Sequence, residues 1–289
     1  MVVVIENQKM SNKPSLNRII GQINKEHGET VIARLGDMKN VECERIKTGV
    51  ESFDDAIGGG FPKGRLVELY GEPSSGKTLM SLLAIATAQK EGMGDCVFID
   101  AENSFDPVWA RKLGVNTDDL VLVQLGIGES IFDLISNVLR AEPAIIVVDS
   151  VGGMTTNTEY EATFDKQHMA TKARLMSRAL PIIVTKNKNT LIIFVNQIRT
   201  IVTTWGGGGS TTTGGRALGF YASIRVQVKK DREMLFEGPK TGHDPIGQVC
   251  QFRITKNKTA PPYVTGSFKL FFDGRVEGKK KKRKVVKTK

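Results

Sequence analysis

The order of apolar and polar positions divides the chain into short apolar runs and longer amphipathic stretches. Leu16, Ile19, Ile20 and Ile23 recur at helical spacing and predict a short amphipathic helix ended by Gly28. That stripe must be covered by its own domain or by a neighbouring subunit, and spacing alone does not choose. Residues 30–35 read as a strand. From residue 46 onward, apolar runs at 65–70, 95–100, 121–125, 144–150 and 191–197 have the length and composition of strands buried on both faces. Residues 79–90 are rich in helix formers, and Ile131, Leu134, Ile135, Val138 and Leu139 make a second helical stripe. Residues 222–230 and 249–258 alternate as half-exposed strands do, and 267–272 form the last predicted strand. Alternating strands and helices imply an α/β fold, doubly wound and mostly parallel, with the later strands forming antiparallel edges. The expected organisation is an N-terminal leader and helix–strand arm (1–45), a core domain (46–277) and a basic tail (278–289).

Chemistry enters at Gly71-Glu72-Pro73-Ser74-Ser75-Gly76-Lys77-Thr78, which matches G-x-x-x-x-G-K-[ST] between a predicted strand and a predicted helix. Gly71 and Gly76 permit backbone angles that a side chain forbids. The loop N–H groups and the helix N-terminus then favour a phosphate. Lys77 is expected to reach the β- and γ-phosphates, and the Thr78 hydroxyl to bind Mg²⁺. The apolar run at 144–150 carries Asp149 at the C-terminal end of its strand, where α/β sheets bind ligands. Asp149 is therefore expected to hold Mg²⁺ with Thr78. Lys256 and Lys258 fall on one face of a predicted strand, where two ammonium groups call for an anion. Residues 203–216 form a glycine- and threonine-rich loop that holds a Trp and is flanked by Arg residues. It suits backbone contact with single-stranded nucleic acid, or it is a flexible linker.

Composition changes the picture in two respects. With 289 residues and 40% apolar content, the chain is long enough for one large packed domain. It has no run long and apolar enough for a membrane span, and its start lacks the features of a secretory signal. Cys43, Cys96 and Cys250 are widely spaced and suggest a reducing cytoplasm rather than a disulfide framework. The net charge of +10 is uneven: the eight lysines and arginines between Lys279 and Lys289 leave only +2 on the rest. Such a block attracts nucleic acid or another polyanion, or it merely solubilises. Its core, residues 280–285, also has the composition of a nuclear-localisation patch.

Taken together, several segments resemble the bacterial and phage RecA recombinase family, from about residue 16 to 273. They are the phosphate loop, residues 98–115, 146–151, Asn196-Gln197-Ile198-Arg199, Thr211-Thr212-Thr213-Gly214-Gly215, Phe220-Tyr221-Ala222-Ser223 and Lys256-Asn257-Lys258. The resemblance implies a RecA-like P-loop ATPase core that binds ATP and Mg²⁺. It makes Glu102 the residue that orients or deprotonates the attacking water, and Gln197 the sensor of the γ-phosphate. Asp106 and Trp109 fall at adenine-contacting positions, with Trp standing where the family usually has Tyr. Lys256 and Lys258 match the pair that reaches the nucleotide of the adjacent subunit. The DNA-contacting set implied by the family is a first loop near residues 159–169 backed by Arg174 and Ser177, and a second from residue 203 to Arg216. The second includes Thr211, Thr212, Thr213, Gly214 and Gly215 and follows Arg199; its four consecutive glycines depart from the family pattern. Lys229, Lys230 and Arg253 align with a secondary DNA site. The early helix resembles the arm that docks on the next subunit. The family usually carries a further C-terminal domain with an acidic tail, so a short form is expected.

The resulting expectation is an ATP-dependent DNA recombinase: a cytoplasmic homo-oligomer that forms helical filaments on single-stranded DNA, pairs it with homologous double-stranded DNA and exchanges strands. The alternatives are a ring-shaped ATPase motor or regulator of the same fold, and a DNA-coating protein that binds ATP without turning it over. Glu102 with Lys77 speaks against the last. The long Gly/Thr loop and the paired lysines favour the recombinase over the ring.

Overall fold

The computed structural model describes residues 15–28, 30–37, 43–162, 170–201, 209–237 and 244–278. The basic tail, most of the first loop and the tip of the second lie outside them. The chain divides into two compact units, Met1–Cys43 and Glu44–Lys289.

In the first unit the predicted helix forms as α1 (Leu16–His27), closed by Gly28 in the left-handed region. None of its residues is buried, and Leu16 is 59% exposed. The strand expected at 30–35 does not form. Asn24 takes its place as the partner of that backbone, accepting from the N–H groups of Val31 and Ile32 and donating to the Ile32 carbonyl. With those groups engaged by a side chain there is no ladder, and the segment ends in a single 3₁₀ turn at Leu35–Asp37.

The second unit begins with β1 (Arg45–Ile46), α2 (Glu51–Ile57) and β2 (Phe61–Pro62), in which β1 and β2 pair antiparallel. Then follow β3 (Leu66–Gly71), α3 (Lys77–Lys90), β4 (Cys96–Asp100), α4 (Pro107–Lys112), β5 (Leu120–Gln124), α5 (Gly128–Val138), β6 (Ile145–Asp149) and α6 (Asn157–Tyr160). The chain continues through α7 (Thr171–Lys186), β7 (Leu191–Ile201), β8 (Gly209–Thr212), α8 (Ala217–Tyr221), β9 (Ile224–Leu235), β10 (Gly247–Asn257), β11 (Thr265–Phe271) and β12 (Val276–Glu277). A ten-stranded sheet has the order β12-β11-β10-β9-β3-β7-β6-β4-β5, with β8 attached to β7. From β9 to β5 every neighbouring pair is parallel. The pairs β9–β10, β10–β11 and β11–β12 are antiparallel.

Period-two alternation in the central strands assigns their side chains to two separate cores. Val67, Leu69, Val147, Ile193 and Val195 join Leu79, Met80 and Ile85 of α3 on one face. Leu66, Ile146, Val148, Ile192 and Phe194 join Ile131 and Ile135 of α5 and Met176 and Leu180 of α7 on the other. Helices on both faces of a parallel sheet are the doubly wound arrangement, with the C-terminal strand ends forming one edge. Gly71 is level with Gln197 there, and Asp100 with Asp149. Among the described residues no helix is long and apolar enough to cross a membrane.

Candidate functional site

The phosphate loop joins β3 to α3 at that edge. A side chain at Gly71 would place Cβ 1.9 Å from the Val228 carbonyl oxygen of β9, so only glycine fits beside the neighbouring strand. Gly76, at φ +99°, turns the chain into α3. Lys77 Nζ donates to the Glu72 carbonyl at 2.6 Å. Burial lowers the Lys77 pKa, while the charges of Asp149, Glu102 and Glu72 work against that. Ser75 Oγ is buried with no hydrogen-bond partner among the described residues. An unsatisfied hydroxyl, a glycine-sized gap and a buried ammonium fit a phosphate. The loop is braced from the antiparallel side of the sheet. Gln248 donates to the Ser74 carbonyl at 3.1 Å, and Cys250 and Phe268 would each lie 3.4 Å from a Cβ at Gly76. No local motif marks those three residues.

Thr78 Oγ1 donates to Asp149 Oδ2 at 2.5 Å, uniting helix α3 with the end of β6. Burial pushes the Asp149 carboxyl up to about 6; the Thr78 hydroxyl pulls it down, the Glu102 charge raises it and Lys77 lowers it. A hydroxyl and a carboxylate beside a phosphate loop are the hard oxygen donors that Mg²⁺ takes together with substrate phosphates. Among the described residues no cluster of three or more His, Cys, Asp or Glu side chains offers an all-protein metal cage.

Glu102 follows β4 in a turn held by Asp100, whose carboxylate accepts from the N–H groups of Glu102 and Phe105. Glu102 Oε1 accepts from Ser150 Oγ and from Gln197 Nε2, the latter at 2.9 Å. A cis peptide bond joins Asp149 to Ser150. Two glycines after it let the pair approach: Cβ atoms at Gly152 and Gly153 would come within 2.8 Å of Gln197 and 2.5 Å of Glu102. The structure thus brings Lys77, Thr78, Glu102, Asp149 and Gln197 to one edge, and adds Asp100, Ser150, Gly152 and Gly153. Asp106 caps α4, accepting from the N–H groups of Val108 and Trp109. Trp109 is half-buried against the core.

Lys256 and Lys258 do not join this group. Lys256 pairs with Arg225 across β10 and β9, and Asn257 with Ile224, which is itself level with Val67. Val67 lies four residues before Gly71, so the lysines sit about 13 Å along the strands from the phosphate loop at ~3.3 Å per residue. Lys256 Nζ donates to the carbonyls of Gly219 and Phe220, each at 2.8 Å. Burial lowers its pKa, and the charges of Lys258 and Arg225 lower it further.

The Gly/Thr segment read as a loop is in part a hairpin. Strand β7 runs past Gln197 to Ile201 and returns as β8, pairing Arg199 with Thr211 and Ile198 with Thr212. Its β-branched threonines suit a ladder, and the run of glycines conceals the pairing in the sequence. Thr213 N donates to the Gln197 carbonyl. Gly214 and Gly215 have positive φ and press against Val151 and Ala173. Arg216 then leads into α8. The first loop is anchored by a capping box between Thr156 and Glu159 and by Thr171 Oγ1 donating to Glu159 at 2.6 Å. Arg174 and Ser177 are exposed on α7. A cleft of about 640 Å³ between α5 and α7 is lined by Glu129, Phe132, Arg174 and Arg178, and it lies apart from the phosphate loop. On the antiparallel strands, Lys229 and Arg253 share a shallow groove with Asp231 and Gln251. Lys230, the next residue along β9, turns to the other face and is exposed.

Comparison with known proteins identifies the family. The family model of the RecA N-terminal domain matches residues 14–277. Protein RecA of Francisella tularensis subsp. novicida (strain U112) is 41% identical over 268 residues, covering 91% of this chain and 73% of that protein. Protein RecA of Francisella tularensis subsp. tularensis (strain SCHU S4 / Schu 4) matches with the same identity and coverage. The crystal structure of the RadB recombinase aligns with a TM-score of 0.61 at 18% identity, over 81% of this chain and 100% of that one, a likeness of fold. The match from residue 14 to 277 and the identity to RecA proteins place this chain in the RecA family.

Proposed function

We propose that this protein is an ATP-dependent DNA recombinase that assembles on single-stranded DNA as a helical filament, pairs it with homologous duplex and exchanges strands. One observation carries the reading: Gln197 bonds Glu102 with its side chain and begins the Gly/Thr hairpin with its backbone. A residue so placed reports nucleotide state to a DNA-contacting segment, as a switch requires. In this mechanism the loop N–H groups and Lys77 hold the phosphates, and Thr78 and Asp149 hold Mg²⁺. Mg²⁺ held by Thr78 and Asp149 would supply positive charge that offsets the charge developing on the phosphate. Glu102, steadied by Ser150 and Gln197, orients the attacking water or takes its proton. Asp106 and Trp109 flank the adenine.

Lys256 and Lys258 lie too far from the phosphate loop of their own chain to reach its phosphates. They act on the nucleotide of an adjacent copy, as arginine fingers do in trans. Phe220, 70% exposed beside Lys256, and Leu16 of α1, 59% exposed, are apolar side chains suited to contacts between subunits. Single-stranded DNA is held by Arg174, Ser177, Arg199 and the segment from Thr211 to Arg216, with Lys229, Lys230 and Arg253 attracting the duplex. Buried Cys96 and Cys250 thiols accord with a reducing cytoplasm.

Mixing two defective proteins tests the shared site. Lys77→Ala alone and the double variant Lys256→Ala/Lys258→Ala alone are each expected to lack DNA-dependent ATP hydrolysis. Mixed on single-stranded DNA, they form some interfaces with an intact phosphate loop facing intact lysines, and activity returns in part. A mixture as inactive as its components contradicts sharing between subunits.

A further inference from the structure

Glu68, at the middle of β3, is fully buried and plays no part in the chemistry above. Its two oxygens face opposite ways. Oε1 accepts from Asn196 Nδ2 at 2.9 Å, and Oε2 accepts from Arg225 Nε at 2.5 Å. Each partner continues outward. Asn196 Nδ2 also donates to the Thr213 carbonyl at the base of the hairpin, at 3.0 Å. The Arg225 guanidinium packs beneath Gly219, where a Cβ would come within 3.2 Å of it, and lies 4.8 Å from the centre of the Tyr70 ring. The Gly219 carbonyl receives Lys256 Nζ. An unbroken set of contacts thus runs from Gln197 and the hairpin, through Glu68, to the lysine at the far end of the sheet.

We propose that Glu68 is a positioning residue that couples a subunit's own nucleotide site to the lysine it presents to the next nucleotide, so that successive ATP sites along the assembly respond to one another. This rests on the recombinase reading, because Lys256 serves another subunit only there. The placement is hard to explain by stability. A buried ion pair can usually be replaced by apolar residues without loss, whereas removing one partner is costly. A carboxylate bridging two polar arms can pass a shift of the hairpin to α8 and Lys256, and an apolar residue cannot. Such coupling is an exchange of free energy between two sites, and it is read as cooperativity.

The test is the ATP dependence of hydrolysis on saturating single-stranded DNA, for the full chain, Glu68→Gln and the double variant Glu68→Leu/Arg225→Met. The double variant leaves no uncompensated charge, so it separates loss of coupling from loss of folding. The unaltered protein is expected to show a Hill coefficient above 1. Both variants are expected to fall toward 1, with half-saturating ATP and single-stranded DNA affinity within about twofold and the double variant melting close to the unaltered protein. Variants that keep the full Hill coefficient overturn the inference. A drop in maximal rate and affinity with the Hill coefficient unchanged also overturns it, in favour of a purely structural role. An unaltered protein whose hydrolysis ignores DNA overturns the recombinase reading, and this inference with it.

Discussion

At the scale of single residues, the site depends on how closely Glu102 is held. Its carboxylate receives two side-chain donors, and Gly153 leaves no room for a methyl group beside it. Glu102→Gln keeps the shape and removes the base. We expect DNA-dependent turnover to fall about 100-fold or more, with ATP binding within a few-fold, measured by steady-state hydrolysis and equilibrium nucleotide binding. Turnover reduced less than tenfold would remove Glu102 from the reaction. The phosphate loop, Thr78 and Asp149 were legible in the sequence because their residue types and spacing are themselves the chemistry. Ser150, Gly152 and Gly153 were not, since their role lies in contacts with Glu102 and Gln197, which only folding brings near. Glu68 was hidden inside an apolar strand pattern that gave no reason to single out a polar member.

At the scale of elements, the parallel strands and their helices followed from runs of apolar residues, because burial on both faces leaves that pattern. Pairing partners were less visible. The segment at 30–35 has strand-like composition, but Asn24 occupies its backbone. Residues 209–212 have loop-like composition, but they pair with β7. The bracing of the phosphate loop by β10 and β11 also emerges only in three dimensions, and α2 supports those strands. The Phe53 ring meets Phe61 edge-on at 5.4 Å and Phe252 at 5.2 Å. Phe53→Ala is expected to destabilise the protein by about 3–5 kcal/mol, seen as a lower denaturant midpoint. A loss below about 1 kcal/mol would mean that the site can collapse around the gap or that α2 is not an anchor.

At the scale of the whole molecule, the ends of the sheet divide the work. The C-terminal edge carries the phosphate loop, Asp149, Glu102 and Gln197; the other end carries Lys256 and Lys258. On the proposed reading a subunit is complete only beside another copy, and a DNA strand that aligns copies supplies the neighbours. Hydrolysis should therefore depend on DNA although no DNA atom enters the reaction. The most direct measurement is the rate of ATP hydrolysis with and without single-stranded DNA, beside Lys77→Ala as control. Strong stimulation by single-stranded DNA, absent in Lys77→Ala, is the predicted result. Hydrolysis at the same rate with and without DNA would contradict assembly of the site on DNA and point to a motor or regulator of the same fold.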